Sequence, residues 1–287
     1  GFAAGLGALW WRHRLRSRLF RVPPSPSDKA RDPAWAAISL AQLRDLQAAV
    51  AQHFGPRWRE VNMHDVVEAV VRPLCELHEK CYAHIVNGDQ LLHVTVFVSH
   101  SWHENFEEFC RAVFDAFRFW TVRPNIWICA TALFQTTDPE KIALQVGTGD
   151  DPRKAPFSIA LREAEKLLVV RNGNVDLYSR IWCCWELFCA HELGLIERPG
   201  ALMVVGPSPA EDSAAAVDIV CANASNAEDR RAILKCIAAS PVDIAEINRT
   251  LTTVKYFDPE STSETSESSE SSEGEARTLT RHGAEIW

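Results

Sequence analysis

Apolar and polar positions along the chain follow two periods, one typical of strands and one typical of helices. Short apolar runs rich in β-branched residues predict buried strands over about residues 91–98, 125–133, 166–170 and 201–206. Residues 104–120 have the apolar spacing of an amphipathic helix, and helices are also predicted over about residues 181–194, 226–238 and 242–254. Strands that alternate with helices form parallel βαβ units. The pattern therefore predicts an α/β fold with a parallel sheet flanked by helices.

A helical segment is predicted before the first of these strands. Apolar residues recur on one helical face over residues 38–50, and a second helical pattern follows over about residues 62–77. Pro73 lies inside the second pattern and should kink or divide that helix. We therefore expect a helical lead-in over residues 34–90 and the α/β domain over residues 91–256.

Residues 1–33 combine an apolar start, an arginine-rich stretch and a Pro/Ser-rich linker. The apolar start has about eleven residues, too few to span a bilayer, and arginines follow from Arg12 to Arg21. The segment is either a basic linker or the cut end of a membrane helix with its arginines on the cytoplasmic side. Membrane contact is thus expected only through residues upstream of Arg12. We expect the chain in the cytoplasm or at the cytoplasmic face of a membrane.

Charge and cysteine usage narrow the class of protein. The formal net charge is −8, and residues 257–287 include a Ser/Glu-rich run that predicts an acidic, disordered tail. The remainder is mildly acidic, which argues against nucleic-acid binding because phosphate contacts need a basic surface.

The nine cysteines are odd in number, irregularly spaced and mostly in apolar runs. They predict reduced core thiols rather than disulfides, and without a CxxC or HExxH pattern no metal site is expected.

The first predicted strand ends in small polar and aromatic side chains. Its apolar run ends at Val98, and the next four residues are Ser99, His100, Ser101 and Trp102. Groups at the carboxyl end of a parallel strand face the edge where such sheets bind ligands. The alternative is a strand-to-helix turn in which Ser101 caps the helix and Trp102 packs beneath it.

A carboxylate lies among aromatic and thiol side chains in the helix that begins near residue 181. Glu186 follows Trp182 by four residues, so the two side chains share a helix face. Burial beside aromatic surface should raise the pKa of Glu186, which could then act as an acid or base or stabilise a cation. The alternative is a carboxylate stabilised by the helix dipole. We expect residues 94–102 and 181–187 to lie close together at one ligand-facing edge.

These two segments resemble the signature of TIR domains (Toll/interleukin-receptor type). Members of that family have an F-[IVL]-S-[YFH] strand end and later W-C-x-x-E-L at a helix start, which correspond here to residues 97–100 and 182–187. The chain looks most like the TIR-like domains of dinoflagellate and other protist proteins, which carry F-V-S-H-x-W and then R-x-W-C-x-x-E. The resemblance covers about residues 60–256 and implies a TIR/flavodoxin-like sheet.

The resemblance implies two kinds of function. Some TIR domains hydrolyse NAD at the nicotinamide–ribose bond with the Glu of W-x-x-x-E, which matches Glu186 here. Residues that follow the first strand line their pocket, and the NAD-binding candidates here are Ser99, His100, Ser101, Trp102 and Trp182. Other TIR domains are signalling modules that associate with themselves or with other TIR-like domains.

The segment after the second strand favours the interaction module. In the family this segment contributes to the NAD pocket and to self-assembly. Residues 134–157 of this chain are longer and lack the family's R-D-x-x-P-G-like pattern. We therefore predict a signalling module that mediates protein–protein association. The alternative is an NAD glycohydrolase with NAD as substrate, no resident cofactor and Glu186 as catalytic carboxylate, so enzymatic activity stays open.

Overall fold

A five-stranded sheet lies at the centre of the structure. The structure is a computed structural model that describes residues 24–146, 151–173, 175–208 and 216–257, and the statements below concern these residues. The expected apolar and basic segment before residue 24 and the expected acidic tail from residue 258 onward lie outside them. Within the described ranges, no helix is long and apolar enough to cross a membrane.

The sheet is mostly parallel. Its strands, numbered along the chain, are β1 (Ile38–Ser39), β2 (Val96–Ser99), β3 (Asn125–Trp127), β4 (Lys166–Val170) and β5 (Leu202–Val205). Their order across the sheet is β1-β3-β2-β4-β5, with β2 to β5 parallel and β1 antiparallel to β3 at one edge. All of β2 and most of β4 are buried, as expected for strands covered on both faces.

Helices flank the sheet and also precede it, which confirms the predicted α/β class. They are α1 (Pro26–Arg31), α2 (Leu40–Phe54), α3 (Met63–Val66), α4 (Arg72–His78), α5 (Tyr82–Asn87), α6 (Phe106–Ala116), α7 (Cys129–Ala132), α8 (Pro139–Val146), α9 (Pro156–Glu163), α10 (Ile181–Glu192), α11 (Ala227–Ala238) and α12 (Ile244–Lys255). The π-helical segment Val67–Val71 joins α3 to α4. Pro73 lies in the first turn of α4, just after this change of helix type, where its missing N–H is tolerated.

The chain reverses its direction across the sheet at β2. It moves from β2 outward to β3, then returns past β2 to β4 and continues to β5. Because crossovers between parallel strands are right-handed, α6 covers one face of the sheet, and α9 and α10 cover the other. Sheets with this order bind ligands at the carboxyl ends of two neighbouring strands from which the chain leaves in opposite directions. Here those strands are β2 and β4.

The edge strand β1 is a feature that the helical periodicity missed. Ile38 was expected on the helix face that continues to Val50, but it pairs with Ile126 of β3. The helix begins only at Leu40 because Ser39 caps it: its hydroxyl accepts the Gln42 N–H at 3.2 Å. Part of the expected lead-in thus belongs to the sheet, and the proposed boundary between residues 34–90 and 91–256 stays a prediction.

One further expectation about element type was wrong. The strand expected over residues 125–133 stops at Trp127, because the following amides turn back to the Ile128 carbonyl and form α7. The linker expected over residues 22–33 contains the short helix α1. A capping box at Ser25 and a proline in the first turn favour that helix.

The helix α10 is surrounded by the rest of the protein. Nine of its residues are buried, from Ile181 to Ala190, and it packs against α9, α11 and α12. A helix that is apolar on all sides is stable only inside a core. The position of α10 therefore determines where its buried polar side chain, Glu186, lies.

A buried arginine after β4 joins β5 and α12. The Arg171 guanidinium donates to the Lys255, Phe257 and Gly206 carbonyls, each at 3.1 Å. Gly206 follows β5 with a φ of +86°, and a Cβ at this position would lie 2.1 Å from the Arg171 carbonyl oxygen. This approach of two backbones requires glycine.

We expect Gly206→Ala to destabilise the fold by about 3 kcal/mol or more, through a backbone conformation unfavourable for alanine together with the steric overlap. The matched control is Gly173→Ala, whose Cβ would meet its nearest neighbour, a Pro207 side-chain carbon, at 3.7 Å. That control should change stability by less than about 1 kcal/mol. Urea unfolding of both variants measures the difference, and equal midpoints would contradict the close approach.

Candidate functional site

The two signature segments meet at the carboxyl end of β2. Ser99 is the last residue of that strand, and its hydroxyl donates to Glu186 Oε2 of α10 at 2.5 Å. Ser99 is fully buried and Glu186 is 6% exposed. The prediction that residues 94–102 and 181–187 lie close together is therefore correct.

Backbone pairing at the start of α10 fixes where Glu186 lies. The residue before the helix, Arg180, is extended, with φ −106° and ψ 123°. The Ile181 N–H donates to the Asn223 carbonyl at 2.9 Å, and the Asn223 N–H donates to the Ser179 carbonyl at 2.8 Å. The first turn of α10 is thus attached to the chain that leads into α11.

Burial changes the protonation of Glu186. Loss of water raises the pKa of this carboxyl to about 7, while the Ser99 hydrogen bond and the charge of His100 lower it only in part. Near neutral pH the group therefore exchanges between a neutral acid and a carboxylate. This titration range suits an acid or base, and it also makes the charged form unfavourable for the fold.

His100 points away from Glu186, because successive side chains of a strand alternate between faces. Its ring lies 5.0 Å from the Phe109 ring of α6, and Nδ1 lies 2.6 Å from Glu104 Oε1. The other ring nitrogen, Nε2, lies 3.4 Å from Cys129 Sγ. The sequence reasoning proposed His100 but missed Glu104 and Cys129. The spacing of four between His100 and Glu104 was the available signal.

Ser101 and Trp102 belong to the turn between β2 and α6. Ser101 does not cap the helix: Asn105 does, by accepting the Glu108 N–H at 3.0 Å. Trp102 is half-buried, and its indole N–H donates to Cys129 Sγ at 3.0 Å. Both residues therefore lie at the predicted edge, and Trp102 lies on the side of His100.

Trp182 is the last of four aromatic side chains in contact from the sheet to α10. Phe97 stacks on Trp127 of β3 at 4.9 Å between ring centroids, and Trp127 meets Phe157 of α9 edge-on at 5.9 Å. Phe157 then stacks on Trp182 at 5.0 Å. These contacts account for the position of Trp182 by packing.

The predicted site is closed. The polar side chains at the end of β2 and on α10 are at most 6% exposed, namely Ser99, His100, Ser101 and Glu186. A substrate as large as NAD cannot reach the Glu186 carboxyl in this conformation. A cleft of about 570 Å³ lies instead beyond the carboxyl ends of β4 and β5, with Glu108, Arg111, Asp115, Arg171 and Pro207 in its wall.

Comparisons with known proteins identify no relative: no family model, no curated protein and no solved structure matches the chain. In the part of the chain that the structure describes, no group of three or more His, Cys, Asp or Glu side chains is arranged to hold a metal ion. The geometry of the edge is therefore the main evidence about function.

We expect Glu186→Gln to remove a pH dependence of stability. The pKa of Glu186 is raised from 4.5 to about 7, so its stabilising contribution is complete below pH 4.5 and is lost as pH rises through about 7. Between pH 4.5 and 8 the free energy of unfolding of Glu186→Gln should rise relative to wild type by about 3 kcal/mol.

Urea unfolding at a series of pH values gives this difference. Glu140→Gln, which removes an exposed carboxylate on α8, is the control and should keep the wild-type pH dependence. If Glu186→Gln and Glu140→Gln gave the same pH dependence, Glu186 could not titrate in a buried environment.

Proposed function

We propose that this chain is a TIR-like signalling module that acts by self-association. The observation that carries the proposal is the helix α8, which follows β3 and has no buried residue. Leu144 is 85% exposed and Ile142 is 41% exposed on this helix. Apolar side chains displayed on one short helix are typical of a surface that another protein covers.

Polar contacts and Val146, which packs against the core, hold α8 in place, while Ile142 and Leu144 stay exposed. Gln145 accepts the Phe134 N–H at 2.6 Å and donates to the Phe134 carbonyl at 3.0 Å. Asp138 caps the helix by accepting the Glu140 N–H at 2.9 Å. The helix is thus attached to the fold without using Leu144, whose exposure needs another explanation.

The resemblance supports this use of α8. In TIR domains the segment after the second parallel strand takes part in self-assembly, and α8 lies in the corresponding segment of this chain, residues 134–157. The order of the parallel strands, in which the first lies between the second and the third, also fits such a domain. The closed surroundings of Glu186 support association rather than catalysis.

The alternative function, NAD glycohydrolysis, rests on the contact between Ser99 and Glu186. A carboxylate there lies at the strand reversal, where sheets of this type bind ligands. Cleavage of the N-glycosidic bond develops positive charge on the ribose, which Glu186 could stabilise, and nicotinamide leaves without a strong general acid. This activity requires the edge to open.

We expect the average mass of the full chain to rise with protein concentration in light scattering. Leu144→Asp should shift the chain toward the monomer, because association would bury a carboxylate without a partner. Leu77→Asp is the matched control, since Leu77 is 75% exposed on α4 and away from α8 in the chain. A strict monomer across a wide concentration range, or equal effects of the two substitutions, would contradict the proposal.

The same samples distinguish the alternative. If the chain is an interaction module, it releases no nicotinamide from NAD at concentrations where it assembles. Nicotinamide release by wild type that Glu186→Gln abolishes, with assembly unchanged, would establish the glycohydrolase instead.

A further inference from the structure

On the face of β2 opposite Glu186, three side chains form a connected line that the proposed function does not use. Glu104 Oε1 lies 2.6 Å from His100 Nδ1, and His100 Nε2 lies 3.4 Å from Cys129 Sγ. His100 and Glu104 are buried, and Cys129 is 8% exposed. A thiol, an imidazole and a carboxylate in this order are the arrangement that activates a cysteine nucleophile.

The indole of Trp102 determines the role of the Cys129 sulfur. An indole N–H can only donate a hydrogen bond, so Cys129 Sγ accepts it, at 3.0 Å. Other buried thiols of this region do the reverse: Cys183 donates to the His100 carbonyl at 3.4 Å, and Cys184 donates to the Tyr178 carbonyl at 3.3 Å. The Cys129 sulfur thus accepts a hydrogen bond, whereas the sulfurs of these two neighbours donate one.

Glu104 directs its charge at His100. Its second oxygen, Oε2, is buried and has no hydrogen-bond partner among the described residues. Burial lowers the pKa of His100, but Cys129 and Glu104 more than offset this effect and hold it well above its ordinary value. The imidazole Nε2, 3.4 Å from the sulfur, is placed to take the proton of the Cys129 thiol.

We propose that Cys129 is a nucleophilic, redox-active cysteine whose base is His100, positioned by Glu104, and that it reacts with small hydroperoxides. Cys129 is 8% exposed, so the proposal is limited to a small oxidant such as hydrogen peroxide and does not extend to a peptide. The sulfur attacks one peroxide oxygen, so an S–O bond forms and the O–O bond breaks. The leaving hydroxide, or the alkoxide of an organic hydroperoxide, takes the proton from His100 and becomes water or an alcohol. Sulfur is oxidised to sulfenic acid and the peroxide is reduced.

The test is site-resolved oxidation of the full chain. The protein is treated with hydrogen peroxide in the presence of dimedone, and sulfenic acid adducts are measured by mass spectrometry at each cysteine. Cys129 should be labelled faster than Cys221, which is exposed but has no histidine base. Cys110, which is fully buried, should stay unlabelled and so reports that the protein is folded.

Substitutions separate activation from simple access. His100→Asn should slow labelling of Cys129 by about tenfold or more, because it removes the base. His103→Asn, which changes an exposed histidine of the same turn, is the matched control and should have no effect. Trp102→Phe removes the indole donor and keeps an aromatic ring, and it should also slow labelling of Cys129. This variant decides the matter if His100→Asn exposes Cys110. Labelling of Cys129 no faster than that of Cys221, or unchanged by Trp102→Phe, would overturn the proposal.

Discussion

The hydrogen bond between Ser99 and Glu186 joins the end of the first parallel strand to a helix enclosed by its neighbours. It lies at the strand reversal between β2 and β4, the place in this sheet where a ligand crevice would otherwise open. A carboxyl group buried here has lost most of its water and keeps one strong partner. The folded arrangement is favourable while Glu186 is neutral and unfavourable when it is charged. The stability of this edge therefore depends on pH.

The alternation of side chains along β2 divides this edge into two sites with different chemistry. Ser99 faces α10 and its carboxyl, whereas His100 faces α6 and the thiol of Cys129. Both are closed to large molecules. The Gln135 amide, in the segment that leads into α8, donates to the Cys129 carbonyl at 3.3 Å. The proposed reactive thiol and the proposed contact surface on α8 thus belong to one stretch of the chain, residues 129–146.

Much of the fold could be predicted from local patterns. The strand β4 has the bounds expected from its apolar run, and α11 and α12 lie within two residues of their predicted ranges. The proximity of residues 94–102 and 181–187 followed from topology, because parallel strands bring their carboxyl ends to one edge, whereas the contact of Ser99 with Glu186 was not predicted. The edge strand β1 could not be predicted, since its two residues precede a helix of the same apolar pattern and its pairing is set by distant residues. The same holds for Cys129 and His100: they are 29 positions apart, and only the turn at α7 brings the sulfur to the imidazole.

The most direct test of this account is the titration of the Glu186 side-chain carboxyl, followed by its ¹³C chemical shift and assigned with Glu186→Gln. A closed edge predicts a midpoint near pH 7, and loss of the Ser99 hydroxyl in Ser99→Ala should raise it further. A midpoint near 4.5, the ordinary value for this group, would show that water reaches the carboxyl and would contradict the closed edge on which the account depends.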